Sequence, residues 1–448
     1  MYRGGLREAG RSLPRQLYVV CATSETDPDA FFLEYDAAKK KYLSALLAKV
    51  NVDALKAVAS KARGGILCTI PALSKDQDED ARLEMVSRQC GGQNAHVEIV
   101  FDDGVIWLAR LRLADPLLPP VEVQTRVLES EVATLHFLAK TKVPAPHVYE
   151  YASTSVNNPV GTPYVLMDKM AGEPLNWYSA NPAQRERVIQ QLADIYLELE
   201  QHPLPKTGCL ILSDAGEDLQ VGPFVQPPCF GNPTSSLGPF STLEESYTAI
   251  IRHQIAMLVS GEYGSLRVDN YLSFLWREQA LPELIDESTN VGPFYLKHYD
   301  DKGDHILVDD DYNITGIIDW EWASAEAKPY AFSSPCMLWP VGDFYNGSNG
   351  LAAEETRFAE LFSLRGRDDM ADLVRDGRPW QRFLFFLGGG LSRTLEEFMP
   401  LFNGLRDAFA MRTEHAQRMI TYKEWKSKAL ADHVKGDVQL AKLLQQEK

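Results

Sequence analysis

Apolar residues recur at helical spacing between Asp29 and Ala62, where Tyr42, Leu46 and Val50 are followed by Leu55, Val58 and Ala59. That period predicts a helix over 29–62, in one or two pieces, ended by Gly64-Gly65. Ser74 to Arg82 is charged and predicts a linker. From Met85 the pattern turns to strands, with Gly91-Gly92-Gln93-Asn94 separating two β-like runs, the second from His96 to Phe101. Asp102-Asp103-Gly104 is a hairpin turn signal, and Val105 to Leu111 predicts the partner strand. Val121 to Lys140 is amphipathic, with Val127, Val132, Leu135 and Leu138 on its apolar side. Tyr164 to Met167 predicts another strand, and Asp168 to Gly172 a linker leaving it.

Beyond this point helical periods dominate. Asn181-Pro182 is an N-cap with proline in the first helical position, opening a helix to about Gln201. Leu212 to Ser241 is rich in proline and glycine and predicts a long loop. Thr242 with Glu245 makes a capping box for a helix to about Ser260, and Asp269 to Gln279 predicts another. A short apolar run, Phe383 to Leu387, meets Gly388-Gly389-Gly390 and suits a closely packed core helix. No internal repeat is visible.

Composition narrows the class. The length of 448 residues accommodates two lobes, and 45% hydrophobic with 24% charged residues is ordinary for a globular protein. A formal net charge of −17 argues against nucleic acid as a partner, although it leaves room for a local basic pocket for phosphates. The six cysteines are scattered without a Cys-x-x-Cys pair, which suits a reducing compartment and no zinc site. No apolar run approaches a membrane span. Residues 1–24 carry Arg3, Arg7, Arg11 and Arg15 with Glu8 as the one acid. Such a start is either a disordered extension of a cytoplasmic protein or a mitochondrial targeting peptide; Gly4, Gly5, Gly10 and Pro14 weaken a helix there.

The chemistry concentrates between Phe294 and Trp322. His298 and Asp300 end a short apolar run, Ile306 to Val308 predicts a strand, Asp309 to Asn313 a turn, and Ile314 to Ile318 a second strand ending on Asp319. A hairpin of this kind can bring two strand-anchored carboxylates together. Phosphoryl transfer needs such a pair, one to take or orient a hydroxyl proton and one to hold Mg²⁺.

The run H-Y-D-D-K-G-D-H-I-L-V-D followed by G-I-I-D-W-E-W-A resembles the catalytic segment of the aminoglycoside phosphotransferase and choline kinase group, relatives of protein kinases. Asp-Lys-Gly-Asp-His is similar to variants in fungal members. The resemblance, with named motifs over about 85–330, implies an α+β, two-lobed protein-kinase-like fold. A small β-rich N-lobe (85–170) and a larger, mainly helical C-lobe (171–448) would follow an extension (1–28) and an extra N-terminal helical segment (29–84). It implies ATP-dependent phosphorylation of a small-molecule hydroxyl, with Asp300 as base and Asp319 as Mg²⁺ ligand. The second metal ligand of the family is Asn, and His305 stands at that position. Because Mg²⁺ prefers oxygen, Asp304 is the competing candidate.

Further roles follow from the same resemblance. Arg110 stands where the family has a phosphate-binding lysine, with Arg112 as a rival; Glu131 matches its partner, with Glu129 as a rival. Gly91 and Gly92 either cover nucleotide phosphates or form an ordinary turn. Met167 to Met170 match the hinge at the adenine. His298 is expected to brace the backbone near Asp319, and Glu321 to be a solvated loop residue, with substrate or metal as its other option. The departures at Arg110 and His305 also motivate another class, a pseudo-enzyme serving as a nucleotide-binding or scaffold protein. The lack of an Ala-Pro-Glu segment after Asp319 disfavours a kinase acting on protein. The substrate has no readable code.

Overall fold

Strict alternation builds the first sheet. In β2 (Asn94–Phe101), Ala95, Val97, Ile99 and Phe101 are buried while the residues between them are partly exposed. The computed structural model describes residues 28–91, 93–113, 120–213, 218–226, 237–261, 266–387, 392, 394–410 and 420–446. The extension 1–24, Gly92, most of the tip of the 212–241 loop and Gly388 to Gly390 lie outside the described residues, so the readings made for them find no counterpart here.

The turn at Asp102-Asp103-Gly104 closes a hairpin, with Gly104 at a φ of +83° and Asp103 Oδ1 accepting the Val105 N–H at 3.2 Å. β3 (Ile106–Arg112) returns along β2. Adding β1 (Cys68–Thr69), β4 (Val148–Ala152) and β5 (Tyr164–Asp168) gives an antiparallel sheet in the order β1-β2-β3-β5-β4. The predicted N-terminal helix is in two pieces, α1 (Pro28–Lys49) and α2 (Val52–Ala62). Asn51 breaks it: its side chain caps Ala54 N–H at 3.1 Å, while its own N–H donates to Val160 O.

One reading needs correction. Residues 79–88, expected as linker and then strand, form helix α3 (Glu79–Arg88). Asp78 accepts from Ala81 N–H at 2.7 Å, and acids fill the first turn. Leu83 and Val86, three residues apart, both point inward, which is a helical period and not an alternating one. The Gly91 turn therefore joins a helix to a strand, although Cys90 and Ala95 still pair across it.

The two faces of the sheet meet different neighbours. Leu43, Leu46, Leu55 and Ala59 of the N-terminal helices share a core with Ala95, Val97, Ile99, Trp107, Ala109 and Leu166. The N-terminal segment is thus packed into the sheet lobe and supplies its edge strand. The opposite face carries Asn94, His96, Leu108, Arg110, Arg112, Val165 and Met167 by register. Against it lies α4 (Val121–Leu138), whose Val127, Val132 and Leu135 join the larger core.

From β5 the chain crosses to the second lobe through β6 (Glu173–Pro174), which pairs with β10 (Ile306–Val308). α5 (Pro182–Glu200) opens with the predicted cap, Asn181 and Gln184 bonding reciprocally. Within the expected long loop, β8 (Leu219–Gly222) pairs with β7 (Cys209–Leu212). α6 (Leu243–Ser260) starts at Thr242 as predicted, and α7 (Arg267–Leu284) runs longer than predicted at both ends. After the strands described below, helices α8 (Ala353–Leu364) to α13 (Val438–Gln446) complete a mainly helical second lobe. The molecule is therefore the two-lobed α+β arrangement expected.

Candidate functional site

The 294–327 segment folds into two short antiparallel ribbons. β9 (Phe294–Lys297) pairs with β12 (Ser324–Ala327), and β10 pairs with β11 (Ile314–Ile317). Asp309 shapes the predicted turn, accepting from the backbone of Asp311 and Asn313 at 3.0 and 2.8 Å. The loop between β9 and β10 carries Asp300, Asp304 and His305; the loop between β11 and β12 carries Asp319 and Glu321.

His298 ties these loops together as expected. Its Nε2–H donates to Ile318 O at 3.0 Å, and its ring stacks on His305 with centroids 4.1 Å apart. His305 is buried, and its Nδ1 faces the Gly303 N–H at 3.4 Å. Burial, then the neighbouring His298, Lys302 and Lys297, hold the imidazole well below its ordinary pKa. His305 is thus packed inside the loop against His298. Gly303, with a φ of +108°, leaves no room for a side chain without pushing Met337, whose Cβ a methyl would meet at 3.3 Å.

Three carboxylates stay at the surface. Asp319 is 58% exposed and Asp304 61%. Asp319 sits in the left-handed region at a φ of +61°, which Asp tolerates better than most residues. Asp300 forms an ion pair with Lys302, which also lies 3.4 Å from Asp304. The neighbouring Asp301 is turned inward instead, to Lys297 Nζ at 2.9 Å and the Cys336 N–H at 3.0 Å.

Facing Asp319 across the lobes is a buried charge cluster. Arg110 donates to Glu131 and to Glu321, and its Nη2 lies 3.7 Å from Asp319. Arg112 reaches Glu321 at 3.0 Å and Asn94 at 3.2 Å, and Asn94 donates to Glu321 at 3.3 Å. Burial drags the Arg110 guanidinium down, but Glu131, Glu321 and Asp319 more than offset it and raise its pKa. Burial pushes Glu321 up, yet Arg112 and Arg110 prevail and hold it below the usual carboxylate range. Glu131 has Arg110 alone as its cation, and burial raises its carboxyl.

These contacts separate Glu131 from Glu129 as the partner of Arg110 and correct one expectation. Glu131 is the Arg110 partner, whereas Glu129 accepts from Ser153 Oγ at 2.7 Å. Both arginines, not one, enter the cluster. Glu321 is not solvated: it is 4% exposed, because two guanidiniums hold its carboxylate inside. Sequence reasoning also passed over Lys302 and Asn94. The strand register was the available signal, since Asn94 pairs with Arg112 and His96 with Arg110 on one face.

Gly91 donates its N–H to Asn94 O at 2.9 Å. A methyl at Gly91 would meet only that oxygen, at 3.8 Å, so space does not demand glycine there. Met167 is buried in β5, and Met170 packs on Gly316, where an added methyl would meet it at 3.1 Å. The connection through 167–170 thus joins the sheet to the β10–β11 hairpin.

Exposed carboxylate oxygens are the donor type that suits a hard divalent cation. Asp304 and Asp319 offer exposed oxygens, and Mg²⁺ commonly takes one or two carboxylates together with phosphate oxygens and water. Among the described residues no group of three or more His, Cys, Asp and Glu is placed to hold a metal ion. No described helix is long and apolar enough to cross a membrane.

Residues 109–325 match the model of the phosphotransferase enzyme family, APH. A subtelomeric hrmA-associated cluster protein of Aspergillus fumigatus is 35% identical over 102 residues, 22% of this chain. The match spans about a fifth, 19%, of that relative's length. Clavilactone A biosynthesis cluster protein Y of Ampulloclitocybe clavipes is 24% identical over 308 residues, covering 63% of this chain and 69% of that protein. Among solved structures, the macrolide 2′-phosphotransferase MphH of Brachybacterium faecium superposes with a TM-score of 0.38 at 16% identity, over 82% of this chain and 100% of that one.

Proposed function

We propose that this chain, whose residues 109–325 match the model of the phosphotransferase enzyme family, transfers the terminal phosphoryl group of ATP to a hydroxyl of a small molecule. The observation that carries the reading is the placement of Asp319, just past the β10–β11 hairpin that the Asp300 loop leads into, 3.7 Å from the Arg110 guanidinium of the other lobe.

In this reading the Asp300 carboxylate takes or orients the acceptor proton. The acceptor oxygen forms its bond to the γ-phosphorus as the bond to the departing ADP oxygen breaks. His298 keeps the Asp300 and Asp319 loops in register through Ile318. Asp319 and Asp304 would hold Mg²⁺, which neutralises charge on the phosphates when bound. His305, with its ring in the core, is left out of the metal site. Arg110, positioned by Glu131, meets the phosphates, Gly91 lies beside them, and the backbone of 167–170 meets the adenine.

Transfer of label from γ-labelled ATP onto the small molecules of a metabolite extract tests this. Labelled product with the wild type and its loss in Asp300→Asn is the expected result. Equal labelling in both proteins removes Asp300 from the mechanism. The scaffold reading keeps one specific support: Glu321 already occupies the cation that phosphates require. Absence of any ATP-dependent product together with retained nucleotide binding favours it.

A further inference from the structure

Arg112 is the one member of the buried cluster that is not fully used. Its side chain is 5% exposed. Nη1 meets Asn94 and Glu321, but Nε and Nη2 are buried with no hydrogen-bond partner. A buried guanidinium with unfilled donors is costly. The unfilled pair is moreover the edge that receives two oxygens of one anion side by side. Arg110 stands two residues earlier on the same face of β3 and is held by carboxylates from α4 and from the other lobe. One of these, Glu321, contacts both arginines, and it reaches them from a loop outside the sheet.

Resting on the nucleotide reading above, we infer that Arg110 and Arg112 form a two-guanidinium oxyanion clamp whose resident occupant is the Glu321 carboxylate, displaced when a polyphosphate binds. The sheet side of the cluster is fixed: both arginines are strand residues and Glu131 belongs to α4. Glu321 lies between β11 and β12, next to Trp322 at a φ of +68°. It is therefore the ligand that can leave with least disturbance. Its departure removes the acceptor of Arg110 Nη2, leaves Arg112 Nη1 with Asn94, and opens the unfilled Arg112 Nε and Nη2 to the incoming anion. The exchange also breaks the Asn94–Glu321 bond, so anion binding would loosen this tie between the Gly91 turn and the second lobe. Arg112, which departs from the family position of the phosphate-binding residue, becomes the stronger phosphate contact of the two.

Calorimetric titration with inorganic tripolyphosphate, Mg²⁺-ATP and adenosine separates the terms. Removing the resident charge in Glu321→Gln is expected to tighten tripolyphosphate and ATP by about fivefold or more, with adenosine unchanged. Arg112→Lys keeps a cation but loses the two-donor edge, and is expected to weaken both phosphate ligands by about tenfold. Circular dichroism establishes that each variant is folded, and Glu321→Asp, which retains charge but is shorter, gives a second measure of the displaced group. If ATP binds the wild type while Glu321→Gln leaves polyphosphate affinity unchanged or weaker, the clamp is wrong and the nucleotide reading stands. If tripolyphosphate tightens in Glu321→Gln while ATP and adenosine bind neither protein, the clamp stands and the nucleotide reading falls.

Discussion

Two groups of charges in the molecule differ mainly in burial. Arg110, Arg112, Glu131 and Glu321 are each 4–7% exposed by side chain. Lys302, Asp300 and Asp304 form a similar run of ion pairs at 37–61%. In the buried group every charge has an opposite charge beside it, so removing one strands another in a low dielectric. In the exposed group water screens each pair, so the loss of one partner costs little. The first group ties Glu321 of the second lobe to Arg110 and Arg112 of the sheet lobe; the second holds the proposed base and a proposed metal ligand.

The contrast is broken most sharply at Asp300. Asp300→Asn is expected to lower kcat by about 10²–10⁴, the range of general acid–base catalysis, with ATP affinity nearly unchanged. Initial rates and a binding titration on the same protein check both halves. Arg110→Ala should instead act on stability, costing about 3–5 kcal/mol because Glu131 and Glu321 lose a buried partner. Lys302→Ala in the exposed group should cost no more than about 1 kcal/mol. Urea unfolding of the two variants measures the difference, and equal losses would end the distinction drawn here.

A third buried carboxylate sharpens the comparison. Glu326 is as enclosed as Glu321 but has no guanidinium; Ser324 Oγ donates to it, and burial pushes its carboxyl up to about 7. The folded protein then binds more protons than the unfolded chain between about 4.5 and 7, so this group lowers stability as pH rises through that window. Glu326→Gln should gain stability relative to the wild type from pH 5 to pH 8, on the order of 2 kcal/mol. Thermal melts at the two pH values check the sign.

The exposed carboxylates can be ranked too. Asp304→Ala is expected to weaken Mg²⁺-dependent nucleotide binding, whereas His305→Asn, whose parent ring is packed against His298, should leave it intact. A preference for Mn²⁺ that vanishes in His305→Ala would instead make His305 a ligand. The smallest effect concerns residues 1–24: fused to a fluorescent reporter, they are expected to leave it diffuse in the cytosol. Import that depends on Arg3, Arg7, Arg11 and Arg15 would establish a targeting peptide.

What was legible in the sequence follows from the range of the forces involved. Local rules placed the β10 strand, the Asp309 turn, the Asn181 cap and the break-prone N-terminal helix, because each depends on neighbours a few residues away. The 79–88 helix is hidden in the sequence because a charged run leaves only Leu83 and Val86 to mark its period behind the Asp78 cap. Arg110 and Glu131 were identified through the family motif, but the burial of Glu321 was not. Its environment is set by Arg112 and Asn94, more than two hundred residues earlier in the chain. No local pattern encodes that meeting; only the pairing of Asn94 with Arg112 on one sheet face hints at it.

Thermal denaturation with ATP, with and without Mg²⁺, in the wild type and Asp319→Asn tests the central claim most directly. Saturating ligand at about a hundred times its Kd adds about 2.7 kcal/mol to the folded state, enough to raise the melting temperature measurably. The account predicts a Mg²⁺-dependent rise in the wild type that Asp319→Asn loses. An identical melting temperature for both proteins under all conditions would contradict it.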